Sequence, residues 1–199
     1  MQAATQKGLA PVKFLIDKTA SRFTVQAFAT GLFSSFGHNP TIEIRDYQGE
    51  LQFVPETFDK AFVRVTVHTS NLDVLDEMKR DDRKKLEHAM YEQVLDVRQF
   101  PTAVYESKEI KVERPENGPM VSHVNGELSF HGVTQNQSLD ARIQNMGNML
   151  RISGDFTLRQ SSFGIKPVSF LGGALRLKDE LKFKFELVAG MQEERASSQ

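Results

Sequence analysis

The chain has 199 residues, enough for one domain with a sizeable core, and its 25 basic and 26 acidic residues leave a formal charge of −1. That balance excludes an electrostatic case for nucleic acid or an anionic membrane as partner. The absence of cysteine excludes disulfides, thiol nucleophiles and thiolate metal sites, and no apolar run approaches the ~20 residues of a membrane-spanning helix.

Residues 1–10 read as a flexible tail without the basic head and apolar stretch of a signal peptide. The chain as given is therefore expected in the cytoplasm; a trimmed mature form would instead place it in the periplasm. From residue 12 onward the dominant signal is period-two alternation, the mark of strands with one buried face. Segments 12–17, 22–30, 41–46 and 50–54 are strand candidates, with "DYQG" as a turn. Between the second and third lies "GLFSSFGHNP", a break rich in Gly and Phe. In "FVRVTVH", Val63, Val65 and Val67 alternate with Arg64, Thr66 and His68.

Residues 76–97 depart from this rule. Charge is dense there, and Leu86, Ala89, Met90, Val94 and Val97 recur at helical spacing. The spacing predicts one amphipathic helix, or two short ones, on the outside of the sheet. Its "KRDDRKK" run reads as a solvated face. Alternation then resumes at 102–112, in "VNGELSF" (124–130), in "LDARI" (139–143), in "RISGDFTLR" (151–159) and in "LKFKFELV" (181–188). "ENGP" and "MGN" read as turns, and His131-Gly132 as a hairpin turn or bulge. Residues 191–199 form a second flexible tail, which leaves 11–190 as a single domain.

Eight to ten such strands must hide their edges. A closed barrel does so fully, and near eight strands it can hold one small ligand; a packed sandwich is the competing architecture. The aromatic content, 15 Phe against 3 Tyr and no Trp, predicts a dry interior.

The order of landmarks carries a resemblance. "FLIDKTASRFTVQAFATG" precedes "YQGELQFVPE", "VRVTVHTSNLDV" and "LDVRQFPTAVYES"; "VNGELSFHGVTQNQSLD" and "LRQSSFGI" follow. Over residues 12–188 this set resembles the YceI-like family of lipocalin-like, polyisoprenoid-binding proteins. The resemblance implies an all-β fold: an antiparallel lipocalin-like barrel of about eight strands with a helical insertion around residues 76–97. It also implies non-enzymatic binding, storage or transport of an apolar lipid, an isoprenoid or polyprenyl quinone, with no other cofactor. Family members are commonly exported, whereas this chain shows no signal. Homodimerisation stays open.

Alternation and the family likeness together assign a ligand-binding lining of Phe14, Phe23, Val25, Phe53, Val65, Leu128, Phe130, Ile152, Phe156, Phe183 and Phe185. Residues 31–40 and 163–173 are expected to gate the cavity, with Phe33, Phe36, His38 and Phe163 over its mouth. His38 has three readings: a bond to lid backbone, a contact to a ligand headgroup, or a metal ligand. No His-x-His or His-x-x-x-His pair supports the third, so no metal ligand is assigned. There is no G-x-S-x-G elbow and no phosphate loop, so no catalytic residue is assigned either. Ser161 and Ser162 read as loop caps. No charged anchor for a ligand is visible. Two rivals remain: a small-molecule enzyme using His38 in the same cavity, and a scaffold with a filled core.

Overall fold

The computed structural model describes residues 10–30, 39–55, 57–167, 169–170 and 175–192. Its first three long strands are each broken in the middle. The first comprises β1 (Val12–Ile16) and β2 (Arg22–Thr30); the second, β3 (Thr41–Ile44) and β4 (Tyr47–Phe53); the third, β5 (Phe62–His68) and β6 (Leu72–Val74). The halves of each run on in the same direction beside their neighbours: β1 pairs with β4 and β4 with β5, while β2 pairs with β3 and β3 with β6. The breaks line up into a crease across the wall. At the first, Asp17 accepts from Thr19 N–H and Oγ1, and Ser21 Oγ accepts the ladder proton of Val188 at 2.8 Å. Lys18 reaches Asp46 at the second, and Arg45 N–H reaches Asn71 O at the third. The expected turn at "DYQG" is therefore a strand start: Tyr47, Gln48 and Gly49 open β4, with Ile16 packed over the glycine, and the bend falls at Arg45-Asp46.

A helix α1 (Arg80–His88) runs into a π-helical turn, Ala89–Val94. After it come the long strands β7 (Thr102–Glu113), β8 (Met120–Phe130), β9 (Val133–Asn145) and β10 (Met149–Arg159). A 3₁₀ turn at Gln160–Phe163, the short β11 (Ser169–Phe170) and the long β12 (Leu175–Met191) complete the chain. The β8–β9 hairpin turns on His131 and Gly132, both at positive φ (50° and 75°), as a tight primed turn requires.

All pairs are antiparallel. The order β1-β4-β5-β7-β8-β9-β10-β12 closes on itself through β12 and β1, where Phe14 faces Met191 and Ile16 faces Ala189. The fold is a closed eight-stranded antiparallel barrel, which leaves no free edge along that ring. Beyond the crease, β2, β3 and β6 form a flap of wall continuing from β12, and among the described residues no strand pairs with the far side of β6. The helical segment was expected on the outside of the sheet, and the structure adds where it docks. It meets that edge: Tyr91 Oη bonds Leu72, and Arg83 donates to Val74 O and, at 2.8 Å, to Asp76 O. An exposed row of backbone N–H and C=O groups demands such partners.

Period-two alternation sets the interior. Phe156, Phe183, Val25, Ile42 and Val74 oppose one another in one row across β10, β12, β2, β3 and β6. Two apolar clusters form from such rows. Phe14, Leu150, Ile152, Phe185 and Ala189 build the first, and Leu158, Phe163 and Ile165 the second, toward the β10 end.

Candidate functional site

The clusters do not fill the barrel. A cavity of about 560 Å³ remains, within the roughly 300–1,000 Å³ of ligand pockets. Its lining runs from Arg114, Met120 and Asn145 at one end to Leu72, Leu95 and Phe130 at the other. Ten residue steps of β8 at ~3.3 Å each, tilted by ~40°, make that span about 25 Å. A volume of this size drawn out over such a length is a narrow tunnel. It suits an extended chain better than a globular ligand.

The walls are aromatic and aliphatic. Phe156 stacks on Phe183 with ring centroids 4.8 Å apart and planes 7° from parallel. Phe23 meets Phe183, Phe185 and Tyr47 at 6.2, 6.5 and 5.8 Å, the last two edge to face. Val63, Val65 and Val67 line the β5 side. Among the described lining residues there is no carboxylate, imidazole or ammonium group.

Of the residues named from sequence, Phe23, Val25, Phe53, Val65, Leu128, Phe130, Ile152, Phe156, Phe183 and Phe185 border the cavity. Phe14 does not. It is 2% exposed, sits in the first core cluster and is screened by Phe53, whose ring stacks on it at 5.5 Å. Phe163 does not either. It is buried in the 3₁₀ turn beside Phe130, and its carbonyl accepts from His131 Nδ1 at 3.2 Å. Phe33, Phe36 and His38 lie outside the described residues, as do most of 31–40 and part of 163–173. Ser161 was expected to cap a loop; it is instead the capped residue, its N–H and Oγ both donating to the Asp179 carboxylate, at 2.7 and 2.6 Å.

Three polar features of the lining were not read from sequence. Tyr105 lies across Gly126, where an added Cβ would come within 2.7 Å of its hydroxyl, and donates to Gln137 O at 3.1 Å. Burial pushes its phenol up to about 12. Tyr47 is 4% exposed, and its Oη has no hydrogen-bond partner among the described residues. Its neighbour Ser21 pulls the phenol pKa down slightly but is committed to Asp17 O and Val188 N–H, so burial dominates and the phenol titrates high. The third is Arg114, a charged residue that no sequence pattern singled out, which borders the cavity with its guanidinium 4.7 Å over the Phe58 ring. A register shift between Ser107 and Glu109 hid two of these residues. It moves the inward set of β7 from Ala103 and Tyr105 to Ile110 and Val112, and Arg114 continues that second row.

Comparison with solved structures supports the architecture. BcnA of Burkholderia cenocepacia superposes with a TM-score of 0.66 at 16% identity, covering 87% of this chain and 98% of that one. A polyisoprenoid-binding domain from Saccharophagus degradans, implicated in plant cell wall breakdown, gives 0.63 at 11% identity, with 92% and 99% covered. The Campylobacter jejuni YceI protein gives 0.57 at 17% identity, with 76% and 85% covered. At such identities the likeness is one of fold. No match is found among curated proteins. The model of the YceI-like domain matches residues 14–189, nearly the whole barrel, and the chain therefore belongs to the YceI-like family.

Proposed function

We propose that the protein binds an apolar, isoprenoid-like lipid in the barrel tunnel and stores or carries it without chemical change. The observation that carries this reading is the long, narrow and almost wholly apolar lining. Each methylene moved from water into such a site contributes ~0.8 kcal/mol, so a few isoprene units exceed the several kcal/mol that association costs. General acid–base chemistry has little support among the described lining groups. A phenol held near 12 stays protonated at neutral pH, and a working acid or base needs a pKa closer to it. The polyisoprenoid-binding domain that shares the fold adds support for the ligand class.

Native mass spectrometry of protein purified from cells, followed by organic extraction, tests the reading. A retained adduct that extracts as a long-chain lipid is the expected result. A protein that stays empty even after incubation with geranylgeraniol would overturn it.

A further inference from the structure

Arg114 is the one charged side chain on the described lining. It makes no ion pair among the described residues, although most of its charged neighbours along the strands do: Lys108 holds Glu127, Lys111 holds Glu109, and Glu113 lies 3.7 Å from His123. Its position is fixed by packing. Phe58 sits in the β4–β5 turn at φ 58°, and its ring touches Phe53 at 5.1 Å on the tunnel side. The guanidinium lies on the same ring at 4.7 Å, a cation–π placement that holds the head while leaving its N–H groups free to donate. Asn145 borders the same end of the tunnel, its Oδ1 accepting from Gly147 N–H at 2.9 Å. The opposite end, around Leu72, Leu95 and Phe130, offers no described charge.

We propose that this end is a headgroup subsite for an anion, so that the ligand is a single-chain amphiphile with a carboxylate or phosphate head at Arg114 and its tail along the barrel. Arg presents paired donors that match both kinds of oxyanion, and such charge-assisted bonds are strong where water is partly excluded. The proposal rests on the lipid-binding reading above and adds polarity and direction to it.

The test uses the full chain and two matched pairs of probes: geranylgeranyl monophosphate with geranylgeraniol, and hexadecanoate with hexadecanol. Binding is measured by calorimetry at low and high salt for the wild type, Arg114→Gln and Arg114→Lys, each first checked for an unchanged circular dichroism spectrum. In at least one pair the anion should bind the wild type about tenfold more tightly than its alcohol. Arg114→Gln should erase that preference, lowering anion binding about tenfold and alcohol binding far less. Arg114→Lys should keep part of it, and added salt should reduce it. Which pair shows the preference separates a phosphate head from a carboxylate one. Equal affinity within both pairs would overturn the headgroup subsite and leave the lipid reading standing. An equal loss for anion and alcohol in Arg114→Gln would overturn it too, by making Arg114 a packing lid on Phe58. Failure of all four probes to bind would overturn both.

Discussion

The Tyr91 hydroxyl donates to Leu72 O at 2.7 Å and accepts from Leu72 N–H at 3.0 Å, so one side chain satisfies both ladder groups of a strand residue. In a complete sheet a paired residue on the next strand would do this. Among the described residues β6 has no such strand, and the π-helical turn supplies the hydroxyl in its place. Tyr91→Phe keeps the ring and strands two part-buried backbone groups, which costs about 1–3 kcal/mol. Thermal melting should show that loss, and hydrogen exchange should show the Leu72 amide opening faster. A variant with wild-type stability and a still-protected Leu72 amide would mean that water or another group serves the edge equally well.

Phe156 stacks on Phe183 and borders the tunnel, so it serves both the fold and the cavity. Phe156→Ala removes the stack and widens the tunnel, at about 3 kcal/mol, the low end for such truncations because one side of the ring already faces empty space. Phe156→Asp places a carboxyl with no described cationic partner among phenyl rings, and it should lose lipid retention altogether. Urea unfolding and the extracted lipid content check the two. Retention of lipid by Phe156→Asp would show that the chain does not pass this point of the barrel.

The row Phe156–Phe183–Val25 was legible because side chains in a strand alternate strictly, and a row of Phe and Val opposite Lys and Thr admits one register. Alternation reports which side a residue faces and not how deep it lies. Phe14 and Phe23 therefore read alike, yet Phe53 screens only Phe14 from the tunnel. The shift at Ser107 reversed the parity of β7, where Ser107 Oγ accepts Val63 N–H at 2.9 Å in place of a ladder carbonyl. No local pattern announces such a substitution, so Tyr105 and Arg114 were missed. β6 is three residues long, too short to show a period, and its position at the end of the described strand order could be seen only once β7 was found elsewhere.

Tyr105 gives the fold a dependence on alkaline pH. Burial raises its folded pKa to about 12 from an ordinary 10, so in that interval the native state holds a proton that the unfolded chain has released. Its contribution is complete below the unfolded pKa, and stability then falls as pH rises toward the folded value. Tyr47 acts in the same direction, since burial also raises its phenol. Phenolate absorbance should therefore include a late component, which Tyr105→Phe diminishes. Gly126→Ala, whose Cβ would fall 2.5 Å from the Glu106 carbonyl oxygen and 2.7 Å from the Tyr105 hydroxyl, should shift the β7 backbone and the ring, bring the Tyr105 titration back toward 10 and cost about 1–3 kcal/mol. Ordinary titration of Tyr105 in the folded wild type would contradict its placement in the tunnel wall.

Asp179 responds to pH from the acid side, at the end of the barrel where Phe163 packs. Its carboxylate accepts two bonds from Ser161, the side-chain and backbone donors that hold its pKa below the ordinary carboxylate range. Those bonds anchor the 3₁₀ turn, and the turn in turn holds Phe163 against Phe130 and offers Gln135 the Ser162 carbonyl at 3.2 Å. The depressed pKa means that the stabilisation is present above the unfolded value and is lost as pH falls through the lower folded one. Because the carboxylate is exposed, the effect on global stability is small and screened by salt. Local opening is the better readout. Asp179→Ala should accelerate exchange of the Ser161, Gly164 and Ile165 amides at neutral pH while the β8–β10 amides stay protected. Acidifying the wild type should reproduce the same local loosening before the barrel melts. Loosening that spread evenly through the barrel would show that the turn is part of the global unit and does not open on its own.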